Sequence, residues 1–157
     1  MTFSLAAGLN WKGIDFSILL QGAARSSIYL QQDIAWDNFW GNYYEEHIGR
    51  WTPETAATAT YPRFTKAATA AHPNYYKSDY WLKDSKYLRL KNIQLGYTIP
   101  RKLLKKFGVR SLRVYANAYN LFTWDNVKKV DPESSNNSNG QFYPQQKVIN
   151  FGINLNF

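Results

Sequence analysis

The chain has no cysteine and a single methionine, which is Met1. The first absence excludes a disulfide framework and thiolate metal sites. No run of eighteen or more apolar residues occurs, and the mean hydropathy is -0.50, so a membrane-spanning helix is excluded. Acidic residues number only 11 against 19 Lys and Arg, leaving a net charge of +8. A positive excess of this kind raises nucleic acid as a partner. Five of the cations, however, sit together at Arg101, Lys102, Lys105, Lys106 and Arg110, in what reads as one turn. A basic turn alone is a weak footprint, and no nucleic-acid partner is assigned. Met1 is not followed by a charged region, an apolar stretch and a small-residue cleavage site, so no signal peptide is read.

Aromatic residues, by contrast, are in excess: 17% of the chain, with Trp 6 and Tyr 12. An excess of this kind suits the aromatic girdles of a transmembrane β-barrel, whose lumen-facing positions also explain the low hydropathy. The C-terminal segment carries the strongest pattern. Ile149, Phe151, Ile153, Leu155 and Phe157 alternate with Val148, Asn150, Gly152, Asn154 and Asn156. Successive strand side chains point to opposite faces, so one face is apolar and the other mostly polar. A tilted strand of about 9–11 residues crosses a bilayer.

Four further segments alternate in the same way. Phe3, Leu5, Ala7, Leu9 and Trp11 share a face, then Ile14, Phe16, Ile18 and Leu20, with Leu19 as the exception. Ile93, Leu95, Tyr97 and Ile99 form a third apolar set, preceded by Leu88 and Leu90 in the opposite phase. Either a bulge near Asn92 shifts the register there, or Tyr87 to Lys91 project beyond the hydrocarbon. Leu112, Val114, Ala116 and Ala118 form the fourth set. The expected strands span about 2–11, 14–24, 86–99, 111–122 and 147–157.

Connection lengths alternate too. Lys12-Gly13 is a tight turn, and 100–110 is short, with Pro100 at a first helical position and Gly108 as a cap. Residues 25–85 and 125–146 are long. Short periplasmic turns alternating with long extracellular loops are the pattern of outer-membrane barrels. Bacterial single-chain barrels close with an even number of strands, so five strands are expected to be the end of a larger barrel.

The residues that carry family character come next. Tyr87-Leu88-Arg89-Leu90-Lys91-Asn92-Ile93-Gln94-Leu95-Gly96-Tyr97-Thr98-Ile99-Pro100 resembles the C-terminal signature of SusC/RagA-type TonB-dependent outer-membrane transporters. So do Leu112-Arg113-Val114-Tyr115 running into Asn120-Leu121-Phe122-Thr123, then Asp131-Pro132-Glu133 and Tyr143-Pro144. Arg50-Trp51-Thr52-Pro53-Glu54 followed by Tyr61-Pro62-Arg63 is another pattern of that family. The resemblance implies an all-β fold, an antiparallel segment of a 22-stranded transmembrane barrel, in the cell outer membrane and in contact with its lipid. It implies import of an oligosaccharide or peptide together with a SusD-like surface lipoprotein, energised by the TonB complex. The family's N-terminal plug domain is absent from these residues. Phe157, with Phe151, Ile153 and Leu155, is expected to serve as an assembly signal. Two other readings stand beside this one: a soluble all-β carbohydrate-binding module and a small autonomous structural barrel.

Little catalytic chemistry is on offer, and neither an enzyme nor a cofactor is read. His47 and His72 share a loop without the spacing of a metal pair. Asp125, Asp131 and Glu133 suit a polar turn better than a cation site. Asn136-Asn137-Ser138 fits a glycosylation acceptor, which matters only in a eukaryotic secretory pathway. In the basic turn, Leu103, Leu104 and Phe107 have helical spacing suited to packing against a barrel rim. The long loop holds the candidate ligand or partner contacts: Trp36, Trp40, Tyr43, Tyr44, Trp51 and Trp81. Trp36, Phe39, Trp40, Tyr43 and Tyr44 follow helical spacing, so a short helix after Asp33, ended by Gly49, is expected. The alternative role for these rings is the loop's own small core.

Overall fold

The computed structural model describes residues 1–39, 41–66, 71–127, 129–134 and 143–157. The chain divides into two compact units. One comprises Met1–Ser26, Ser85–Asn126 and Pro144–Phe157; the other comprises Ser27–Asp84 and Val127–Tyr143.

The first unit is a single antiparallel sheet. Its strands are β1 (Thr2–Trp11), β2 (Ile14–Ala23), β5 (Tyr87–Thr98), β6 (Ser111–Asp125) and β7 (Val148–Asn156), in that spatial order. The short strands β3 (Ser27–Tyr29) and β4 (Leu82–Asp84) lie in the second unit. Register in the sheet brings the apolar sets into rows. Phe16 of β2 stands opposite Leu9 and Leu95, Leu95 opposite Ala116, and Ala116 opposite Phe151. One face is therefore a continuous apolar surface, and Leu5, Leu9, Leu95, Phe151 and Ile153 are all exposed on it. A solvated sheet face would not be built this way, because an exposed apolar patch of this extent marks a surface made for lipid or protein. Phe3 lies over Gly22 on the neighbouring strand, where a Cβ would meet its ring at 2.7 Å; the glycine leaves space for the ring.

The phase conflict in β5 resolves as a bulge. Asn92 pairs with Leu19 and Leu90 with Leu20, so Lys91 is the inserted residue in the register with β2. The insertion flips the side-chain phase and returns Leu90 and Leu88 to the apolar face, opposite Phe122 and Trp124 of β6. β6 consequently runs on to Asp125, three residues past the expected end.

The connection after β5 holds α1 (Arg101–Leu104) and a 3₁₀ turn at Lys105–Phe107. Pro100 is the residue before the helix, not its first, while Gly108 closes it in the left-handed region at φ 67°. Leu104 alone of the three apolar residues is buried; Leu103 and Phe107 stand in the open. A single helical turn has room to bury only one side of itself.

Candidate functional site

The second unit is a loop with its own core. β3 and β4 pair over three residues, and the Leu30 amide continues the ladder to the Trp81 carbonyl at 2.9 Å. These bonds tie the two ends of the long excursion together. Ile28, Leu30, Ala35, Trp36, Tyr61, Tyr75 and Trp81 form one buried cluster, joined by Val127 from the connection after β6. Trp36 stacks on Tyr75 at 4.7 Å, and Trp81 meets Tyr80 edge-on at 4.7 Å. The indole N–H of Trp81 donates to the Asn74 carbonyl at 2.9 Å; a buried indole usually needs such a partner.

Two polar residues organise this aromatic cluster. Asp37 is buried and accepts from the Tyr75 hydroxyl and from the Thr65 amide at 3.0 Å. Tyr61 donates its hydroxyl to the Ala35 carbonyl at 2.8 Å. Burial raises the pKa of Tyr61 and Tyr75 well above the ordinary phenol value, and the nearby Asp37 carboxylate adds to the rise. His47, also buried, accepts the Tyr44 amide at Nδ1 (3.0 Å), which leaves Nε2 to donate to the Ala35 carbonyl at 3.3 Å. That is a satisfied structural histidine. Lys129 pairs with Glu46 and lies over the Tyr44 ring at 5.3 Å; burial lowers its pKa.

The motif Arg50-Trp51-Thr52-Pro53-Glu54 is a turn closed from inside. Thr52 and Thr55 exchange amide-to-hydroxyl bonds at 2.8 and 3.2 Å, and the Thr55 hydroxyl donates to the Arg50 carbonyl at 2.9 Å. The Gly49 carbonyl receives the amides of Thr60 and Tyr61, which delivers the Tyr61 ring to the core.

Among the described residues of 36–44 no α-helix forms. The segment instead carries 3₁₀ turns at Gln32–Ile34 and Glu45–Gly49, with Asn38 at φ 53° and Gly41 at φ 78° between them. Left-handed residues interrupt a right-handed helix, and the Asp37 carboxylate is engaged with Tyr75 and Thr65. Among the candidate contact residues, Trp36 (3% exposed) and Trp81 (2%) are core, not surface: both pack with Tyr61 and Tyr75 in the buried cluster. Tyr43, Tyr44 and Trp51 are exposed. Trp40 lies outside the described residues, as does Asn136-Asn137-Ser138. A pocket of about 310 Å³ opens between Tyr29, Gln31, Trp36, Tyr75, Tyr76 and Lys77. Asp37 went unnoticed in the sequence, where one carboxylate in an aromatic stretch carries no pattern. Among the described residues no three His, Cys, Asp or Glu side chains gather as a metal site. Asp131 instead accepts the Glu133 amide at 2.9 Å, closing a local turn.

The polar face of the sheet has its own arrangement. Arg113 grips Asp15 with two hydrogen bonds, 2.9 Å from Nε and 2.5 Å from the terminal nitrogen. The pair passes over Gly96 of the intervening strand, where a Cβ would fall 2.5–2.6 Å from both groups. Arg113 also lies over the Tyr115 ring at 4.8 Å, and that ring covers Gly152 of β7. Phe151, Ile153, Leu155 and Phe157 project from the other side or end of β7, all exposed.

No family model matches the chain. Among known proteins it is similar to TonB-dependent receptor P26 of Formosa agariphila, at 29% identity over all of this chain and 17% of that protein. It is also similar to TonB-dependent receptor SusC of Bacteroides thetaiotaomicron, at 26% identity over 98% of this chain and 15% of that one. Among solved structures, the RagAB peptide importer in its open-open state matches with a TM-score of 0.77 and 24% identity, over 99% of this chain and 17% of that chain. The chain thus spans about one sixth of the length of the relatives it matches. The resemblance to SusC/RagA-type receptors and the all-β, barrel-type fold that it implied are both upheld.

Proposed function

We propose that these residues form part of the wall of an outer-membrane active transporter, one that imports oligosaccharides or peptides with a SusD-like lipoprotein and draws energy from TonB. The observation that carries this reading is the sheet itself. Five antiparallel strands present one unbroken apolar face, joined by short connections at one end and long ones at the other. Water does not favour such a face, whereas the hydrocarbon of a bilayer does. The relatives named as TonB-dependent receptors and the importer fold support the same role. The polar face, with the Asp15–Arg113 pair and a row of asparagines, lines the lumen. Long connections are extracellular in barrels of this kind, and within the loop unit the exposed Tyr43, Tyr44 and Trp51 offer aromatic faces to a substrate or to the lipoprotein. The chain's part is transport, and no catalytic group is assigned.

The test is made on the whole receptor that carries this sequence. Cells lacking it are expected to lose uptake of one oligosaccharide or peptide class, and a protonophore is expected to abolish the same uptake in wild-type cells. Uptake that persists without the receptor for every glycan and peptide offered would reject the reading.

A further inference from the structure

The short-connection end of the sheet collects cations and leaves them unanswered. Lys12 sits in the first turn, and Arg101, Lys102, Lys105, Lys106 and Arg110 sit in the second. The residues from 100 to 110 include no acid. None of these six forms an ion pair among the described residues. The one acidic side chain close to this end, Asp15, is already held by both arms of Arg113. Six positive side chains therefore face outward without a protein counter-charge.

The same turn exposes two large apolar side chains, Leu103 at 65% and Phe107 at 76%. They are four residues apart, so they share one side of the turn, while Leu104 is buried. On the apolar face of the sheet at this end, Trp11 pairs with Ile14 and Ile14 with Tyr97, and both aromatic rings are exposed. Tryptophan and tyrosine at the end of a lipid-facing stripe mark a membrane interface. Leucine and phenylalanine flanked by lysines are the composition of a segment lying in the headgroup region, apolar groups down and ammonium groups out.

We propose that the turn at 100–110 is an anionic-phospholipid docking surface. In this arrangement Leu103 and Phe107 enter the headgroup boundary of the inner leaflet, and the unpaired cations hold the phosphates of acidic phospholipids. The inference rests on the membrane reading above. Charge complementarity selects the occupant: a zwitterionic headgroup supplies no net charge for these cations, whereas phosphatidylglycerol does. Each basic residue near such a surface contributes about fivefold to retention.

The experiment uses the whole receptor in nanodiscs of mixed phosphatidylethanolamine and phosphatidylglycerol, with the lipid that stays bound on detergent extraction counted by mass spectrometry. Wild type is expected to retain phosphatidylglycerol preferentially. The variant R101Q/K102Q/K105Q/K106Q is expected to lose that preference, by about fivefold for each cation removed. A second variant, K102R/K105R/K106R, keeps the charge and is expected to keep the preference. Heat-modifiable gel mobility reports folding separately. Equal retention of the two lipids by wild type, or an unchanged preference in the glutamine variant, overturns the proposal while leaving the barrel reading intact. Loss of preference in the arginine variant overturns it too, because charge would not be the cause. If the turn serves a periplasmic protein instead, the glutamine variant loses that protein and keeps its lipid. A receptor that shows no heat-modifiable form at all overturns the membrane reading, and this proposal with it.

Discussion

Phe151 and Asn150 are neighbours on β7 with side chains on opposite faces, so arginine at each position separates lipid from lumen at nearly one depth. An antiparallel strand rises about 3.4 Å per residue, and a tilt near 45° converts this to about 2.4 Å of depth. The middle residue of β7 is Gly152, which places Phe151 within about 2 Å and Asn150 within about 5 Å of the strand's midpoint. Arginine on the lipid face near the midplane costs about 2–4 kcal/mol, and losing the phenyl group from hydrocarbon adds about 1.5–3 kcal/mol. At position 150 the loss is the Asn150–Asn117 hydrogen bond of 3.0 Å, worth about 0.5–1.5 kcal/mol. The difference is at least about 2 kcal/mol, or roughly thirtyfold in a folding equilibrium. Asn154 would be a poorer control, because its register partner is Arg113 and like charges directly opposite repel. The whole receptor is folded into lipid vesicles, and its denaturant unfolding is followed by heat-modifiable mobility. Phe151→Arg should be far less stable than Asn150→Arg. Equal losses would refute the assignment of faces, and with it the lipid-facing sheet.

Three further outcomes are expected. Gly96→Val should lower the melting temperature of the receptor in detergent by pushing Asp15 and Arg113 apart, and most of that loss should vanish in an Asp15→Ala background; strictly additive losses would show that the glycine serves something else. The phenols of Tyr61 and Tyr75 are harder to ionise folded than unfolded, so their contribution is complete below about pH 10 and is lost as pH rises above it. Phenolate absorbance should show these two groups resisting titration until the loop opens, and free titration with the ordinary value would contradict their burial beside Asp37. Trp81→Ala should cost about 3–5 kcal/mol and expose the loop unit to protease, whereas Trp51→Ala, at the surface, should change its protease resistance little; equal sensitivity would mean that Trp81 does not anchor the loop's core.

The strands were legible because a sheet with one apolar face writes a two-residue period, and that period survives wherever the backbone stays regular. It fails where one residue is inserted. Lys91 moves Leu88 and Leu90 to the apolar face without leaving a mark in composition, so the sequence could offer only a bulge or a projection beyond the lipid. From the sequence β6 is expected to end at about 122, yet it runs on to Asp125, with Phe122 and Trp124 opposite Leu90 and Leu88 across the ladder. The loop was read less well. In a stretch crowded with aromatics, helical spacing arises without a helix, and the deciding facts are local: positive φ at Asn38 and Gly41, and a carboxylate drawn into the core at Asp37. Only tertiary packing distinguishes Trp36 and Trp81 from Tyr43 and Trp51, since all four look alike as single letters.

That sorting bears on how the loop unit can take part in recognition. A surface loop of this length pays a large conformational entropy to hold any fixed shape. Here the cost is offset locally: the β3–β4 ladder closes the ends, and the Trp36–Tyr75–Trp81 cluster buries the largest side chains between them. The Thr52–Thr55 turn and the Gly49 carbonyl then fix the backbone on either side of Trp51. An exposed ring on such a frame is already positioned, so contact with a flat apolar surface costs less side-chain and loop ordering than a mobile loop would spend. The buried tryptophans are therefore not rivals of the exposed aromatics for the recognition role proposed above. They are the reason that Tyr43, Tyr44 and Trp51 can hold one.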